Sequence, residues 1–232
     1  MSLQSRAVTM TKQMIQIEST DPGTYENAMA NWITSQLAPY PNVQLTRQEV
    51  LPGRPNLMAE LPGDPTLPAL IMICHMDTVV VGDGWTLPPF EAIEKNGKIY
   101  GRGACDMKSG LACCLSAFQY AAEMLKASGK TPKQTLKLIC SMDEEDFMRG
   151  SEACIQSGWI TDHDWVIDAE PTNGQIQMAH KGRTWYEIDV QGHTAHASTP
   201  WKGADAIAAM SEIICEIRHA ILYAPVHPDM GS

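Results

Sequence analysis

Apolar residues recur at helical intervals over residues 4–17 and 24–37, which predicts two amphipathic helices, with Thr24 placed to cap the second. The period then changes. VQLTRQEV (43–50) and NLMAELPG (56–63) read as strands, and the unbroken apolar run 69–74 within PALIMICHMD reads as a strand buried on both faces, as in a sheet covered by helices. A long helix rich in Ala, Leu and Met is predicted over 107–127, ended by a loop containing Gly129 and Pro132. Two further strands, TLKLIC (135–140) and DWVID (164–168), enclose a short helix at about 151–156. Strands alternating with helices imply an α/β fold, here a mixed sheet flanked by helices.

After Pro171 the pattern turns to QIQMAHKGRTWYEIDVQG, which reads as an antiparallel hairpin, followed by a polar loop and a helix over about 203–221. A domain boundary is therefore expected near residue 178, separating 1–178 from 179–232. One hairpin and one helix bury little core of their own, so the second part is expected to be the start of a smaller α+β domain.

Composition narrows the function classes. With 44% hydrophobic residues the chain can bury a sizeable core, and a formal charge of -10 excludes a phosphate-backbone partner, which needs a basic stripe. The N-terminus lacks the apolar stretch of a signal peptide, and no later run reaches membrane-spanning length, so a soluble cytoplasmic protein is expected. Cys74, Cys113, Cys114, Cys140, Cys154 and Cys215 fall inside apolar segments and read as reduced core residues rather than a disulfide framework.

Three apolar strands each run directly into chemistry: LIMIC into His75 and Asp77, LKLIC into Asp143, Glu144 and Glu145, and WVI into Asp168 and Glu170. In open α/β sheets ligands sit outside the carboxyl ends of the strands, so these residues are expected to converge on one crevice. Asp106, in the Gly-rich turn GRGACD before the long helix, joins them at the rim. An imidazole and several carboxylates at one point repel unless a cation lies between them, and this ligand mix suits zinc or a similar divalent ion. Asp77, two residues beyond His75 on an extended chain, can accept its second ring N–H and fix the tautomer. Of the adjacent acids Glu144 and Glu145, one can ligate while the other serves as general base.

The strings ICHMDTV, YGRGACDMKSG, SMDEE, AEPT and VQGHTAHAS occur in one order. In that order they resemble the co-catalytic zinc hydrolase family of acetylornithine deacetylase, succinyl-diaminopimelate desuccinylase, aminoacylase and the glutamate carboxypeptidases. The resemblance implies a zinc exopeptidase-like catalytic domain with two Zn2+ ions, Co2+ or Mn2+ being possible substitutes. It implies His75 and Glu170 on one ion, Glu145 on the other, Asp106 bridging both, Asp77 as the partner of His75 and Glu144 as the general base. His196, within GHTAHAS, is implied to polarise the scissile carbonyl from a lid domain that also forms a homodimer. The implied reaction is hydrolysis of an amide bond in an N-acyl amino acid or dipeptide.

The family's second zinc takes a further histidine, and its substrate carboxylate an arginine, from beyond the lid. Neither lies within these 232 residues. His219 and His227 lack the family context, so the chain is expected to be a fragment or truncated product of low activity. The rival readings are a zinc aminopeptidase, against which the lid-like GHTAHAS segment counts, and a non-catalytic metal-binding or dimerising scaffold.

Overall fold

In the computed structural model, which describes residues 2–223, the chain divides between Asn173 and Gly174 into two compact units. The first begins with helix α1 (Leu3–Ile15), strand β1 (Thr20–Asp21) and helix α2 (Asn27–Leu37), followed by strands β2 (Gln44–Leu51), β3 (Arg54–Leu61), β4 (Leu70–His75) and β5 (Thr78–Val79). A short hairpin, β6 (Ile93–Lys95) and β7 (Lys98–Tyr100), leads through a turn at Ala104–Lys108 into the long helix α3 (Ser109–Ser128). Strand β8 (Leu136–Ser141), helix α4 (Arg149–Gln156) and strand β9 (Trp165–Asp168) complete the unit.

Five strands form one mixed sheet in the order β2-β3-β8-β4-β9. β4 runs parallel to both β8 and β9, while β3 is antiparallel to β2 and β8. The three parallel strands therefore end on the same edge. Period-2 alternation along β8 splits its side chains between two cores: Leu138 and Cys140 join α1, α2 and α3 residues such as Met14, Ile33, Leu111 and Phe118, whereas Ile139 packs with Ile71, Cys154 and Trp159. Helices thus cover both faces of the sheet centre. Coverage fails at β9, an edge strand whose Trp165, Val166 and Ile167 are exposed, and Leu70 on β4 is exposed as well.

Local chemistry explains the boundaries. Gly129, at φ 63, caps the C-terminus of α3 in the left-handed region. Thr24 does not cap α2. Gly23 and Tyr25 have φ 153 and 57, so the chain is still turning there, and Glu26 takes the position before the helix without a side-chain capping bond because Arg54 holds its carboxylate. The β6–β7 hairpin turns on Asn96 and Gly97, at φ 53 and 71, an Asn-Gly pair suited to a tight hairpin. Of the cysteines, Cys74, Cys114, Cys140 and Cys154 are buried, but Cys113 on α3 and Cys215 on helix α5 (Ala206–Leu222) are exposed.

The second unit contains α5, whose N-terminus is capped by the Asp205 carboxylate accepting from the N–H groups of Ile207 and Ala208. Before it, His193 and Ala204 exchange backbone hydrogen bonds and close a loop that contains His196. The hairpin expected over QIQMAHKGRTWYEIDVQG is not formed: residues 175–191 hold no paired strand, and 173–189 are all exposed. A two-stranded ribbon is marginal unless a face is buried, and among the described residues nothing covers this segment.

Candidate metal centre

The parallel strands bring the predicted residues together by register. His75, the last residue of β4, lies opposite Ser141, the last of β8, so the turn 142–145 follows beside it. β9 is paired to β4 as far as Ile73 and Asp168, two residues short of His75 and Glu170 respectively. Asp106 arrives from the turn before α3, entered through Gly103 at φ 76. Gly110 lets α3 approach β9's exit closely: a Cβ there would fall 2.2 Å from the Ala169 carbonyl oxygen.

His75 sits at the centre of the cluster and is buried. Its Nδ1 lies 2.9 Å from the backbone carbonyl of Asp77 and 3.6 Å from the Asp77 carboxylate. The nearer, carbonyl acceptor calls for Nδ1–H, so Nε2 is the ring nitrogen turned to the cluster. Nε2 faces three carboxylates: Asp106 Oδ1 at 3.0 Å, Glu170 Oε1 at 3.4 Å and Glu144 Oε2 at 3.9 Å. Two groups of potential ligands overlap on it, His75 with Asp106 and Glu145, and His75 with Glu144 and Glu170, each with donor atoms within 4.8 Å of one another. The Asp77 carboxylate accepts instead from the N–H groups of Glu144 and Glu145, at 3.1 and 2.9 Å. Asp77 therefore touches both the imidazole and the turn that carries the two glutamates.

The electrostatics show crowded negative charge. Burial, with Asp106 and Asp168 nearby, pushes the Glu170 carboxyl up to about 8, although His75 opposes the shift. Burial and the Asp106 carboxylate also raise Glu145. For His75 burial favours the neutral ring, yet the Asp106 and Asp77 carboxylates outweigh it and raise the imidazole to about 11. A cation among the carboxylates removes the need for these protons, so the donor set fits a divalent metal.

Of the residues expected at a site, His75, Asp77, Asp106, Glu144, Glu145 and Glu170 are gathered in the first unit. His196 belongs to the second. There its Nδ1 accepts from the Ser198 N–H at 3.2 Å and lies 2.8 Å from Ser198 Oγ, which leaves the ring proton on Nε2, a donor. His219 lies on α5 against Tyr223, with ring centroids 4.6 Å apart, and His227 lies outside the described residues.

Sequence reasoning missed a buried ionic cluster beside the centre. Arg54 pairs with Asp21 and Glu26 at 2.5 Å and with Asp143 at 3.2 Å, all with side chains at most 8% exposed. Only the position of Arg54 at the start of an apolar strand hinted at it. It also missed Lys108, fully buried with its Nζ donating to the Ile17 carbonyl at 2.8 Å, where burial lowers its pKa to about 7.

The fold and the cluster define an α/β protein with a carboxylate–imidazole cluster, a candidate metal centre, at the ends of its parallel strands. The chain belongs to the peptidase family M20/M25/M40, whose sequence profile matches residues 71–231. It is 38% identical over 161 residues to a Staphylococcus aureus protein named probable succinyl-diaminopimelate desuccinylase, covering 68% of this chain and 39% of that protein. It is 36% identical over 150 residues to the acetylornithine deacetylase of Buchnera aphidicola, covering 64% of this chain and 38% of the relative. The chain thus spans about two fifths of the length of these curated relatives. In fold it resembles a tripeptidase from Staphylococcus aureus (TM-score 0.57, 20% identity, 91% of this chain and 56% of the other). It also resembles human carnosine dipeptidase 1 (TM-score 0.54, 23% identity, 71% and 38%). Peptidases of this family are metal-dependent, typically with two ions.

Proposed function

We propose that the protein carrying this chain is a cytoplasmic metal-dependent amidohydrolase acting on N-acyl amino acids or short peptides. The single observation that carries the reading is the buried His75, whose Nε2 faces three carboxylates, Glu144 and Glu170 from beyond parallel strands and Asp106 from the turn before α3. His75, Asp106, Glu145 and Glu170 would hold two Zn2+ ions, Asp106 serving both, with Co2+ or Mn2+ as substitutes. The metal supplies Lewis-acid polarisation and acidifies water.

The chain's own residues do the rest. Glu144 takes a proton from the attacking water and returns it to the leaving amine, and Asp77 fixes both the His75 ring and the turn bearing Glu144. His196 presents its Nε2–H to the carbonyl oxygen as negative charge develops there. Residues 1–178 form the catalytic part and 179–232 belong to a lid through which the protein forms a homodimer. Ile207, Ile214, Ile217 and Ile221, exposed at helical spacing along α5, support that interface.

Turnover of a panel of N-acetyl and N-succinyl amino acids and dipeptides by the whole protein, with zinc, cobalt or manganese, tests the reading. Hydrolysis of none of them would overturn it. Asp106→Ala is expected to remove more bound metal than Asp77→Ala, which costs about 10- to 100-fold in metal affinity. Metal analysis of both variants checks this, and a greater loss from the Asp77 change contradicts the assignment. His196→Ala should spare the metal content and lower kcat by roughly 10²- to 10³-fold, as for a lost oxyanion donor; loss of a metal ion on that change would remove His196 from this role.

A further inference from the structure

The turn between β8 and α4 carries Glu144 and Glu145, and its leading backbone N–H groups are taken one after another by buried side chains from distant parts of the chain. Met142 N–H donates to Asn56 Oδ1 at 3.0 Å and Asp143 N–H to Glu26 Oε1 at 3.1 Å. Glu144 N–H and Glu145 N–H donate to the two oxygens of Asp77 at 3.1 and 2.9 Å. Asn56, Glu26 and Asp77 are all buried. Asp143 sits at φ 63, a left-handed conformation that Asp adopts more readily than most non-glycine residues, and these side-chain acceptors hold the turn in that shape.

Glu26 is itself fixed. Arg54 grips it with two hydrogen bonds, Nε to Oε2 at 2.9 Å and Nη2 to Oε1 at 2.5 Å, a fork geometry that sets direction as well as strength. The Asp143 carboxylate is clamped by Arg149 through Nε at 2.5 Å and Nη2 at 2.7 Å. A buried ion pair is a poor source of stability, because desolvation offsets its attraction, but it holds groups in one arrangement. Glu26 lies outside both ligand groups around His75, so its effect on them passes through the Asp143 backbone.

We propose that Glu26, held by Arg54, is a positioning residue that sets the 142–145 turn and thereby presents Glu144 and Glu145 to the metal centre. Its effect on turnover rests on the hydrolytic reading above; its effect on the turn does not. The two are separated by measuring amide hydrogen exchange as well as kinetics on the whole protein and its Glu26→Gln and Glu26→Ala variants. In Glu26→Ala the amides of Asp143, Glu144 and Glu145 should exchange about tenfold faster or more relative to those of β3 and α3. Glu26→Gln, which keeps the shape and an oxygen acceptor, should fall between Glu26→Ala and the parent and guards against a misfolded Ala variant. In the same variants kcat should drop by roughly ten- to a hundredfold with KM little changed, the signature of a displaced catalytic group. Uniform acceleration of exchange throughout the first unit, or unchanged protection of 143–145, would overturn the proposal. Selective loss of protection in a protein whose parent hydrolyses none of the substrates would uphold the positioning and reject the hydrolytic reading.

Discussion

Replacing Glu144 with Gln in the whole protein is expected to lower kcat by roughly 10²- to 10⁴-fold while leaving metal content and fold intact. Glu144 fits the base role on three counts. Its Oε2 lies 3.9 Å from His75 Nε2, close to the cluster without the contact that Asp106 makes at 3.0 Å. Its side chain is 30% exposed, so a water molecule and a substrate can reach it. Its backbone N–H is tied to the buried Asp77 carboxylate, which limits how far the side chain can wander. Gln keeps the volume and the hydrogen-bonding reach but cannot accept the proton, so the change separates chemistry from binding: kcat should fall with KM nearly constant. Steady-state kinetics paired with metal analysis reads both. Activity within a few fold of the parent would move the base to another residue, and loss of metal would make Glu144 a ligand.

Much of this centre was legible in the chain because parallel strands translate sequence into place. Three apolar runs ending in His75, Glu144–Glu145 and Glu170 needed only the rule that such strands share an edge to be brought together, and the register of β4 with β8 does so. Asp106 was legible from the glycines before α3. What stayed hidden depends on contacts across long separations. Asp21, Glu26 and Arg54 come from three segments that nothing in the sequence pattern connects, yet they meet Asp143, expected in the crevice, in a buried cluster. The predicted cap of α2 failed because the chain still turns at Gly23 and Tyr25, which puts Glu26 rather than Thr24 before the helix. The hairpin expected after Pro171 failed for another reason: alternation in QIQMAHKGRTWYEIDVQG encodes a ribbon with one face to bury, and no described residue covers it. The apolar run Trp165–Ile167 of β9 stands exposed at the sheet edge.

Arg54→Ala is expected to destabilise the first unit by roughly 3–5 kcal/mol, the range for removing one partner of a buried ion pair. The guanidinium faces Asp21, Glu26 and Asp143 and also stacks over Tyr25, 4.2 Å from the ring centroid. Asp143 retains Arg149 after the change, so the uncompensated charges are those of Asp21 and Glu26. Burial already raises the Asp21 carboxyl, with Arg54 opposing it, and without Arg54 that opposition is gone, so Asp21 should take up a proton on folding. A carboxyl whose folded pKa lies above its unfolded value costs stability as the pH rises through and beyond these values. The Arg54→Ala protein should therefore lose more stability relative to its parent at neutral pH than near the ordinary carboxylate pKa of about 4. The triple change Arg54→Met, Asp21→Asn and Glu26→Gln removes the charges together and should recover much of the loss, because replacing a whole buried ionic group is far less costly than orphaning half of it. Urea unfolding of the three proteins at two pH values measures all of this. A loss under about 1 kcal/mol for Arg54→Ala, the range of an exposed pair, would show that water reaches the cluster and that these carboxylates are not held in the interior.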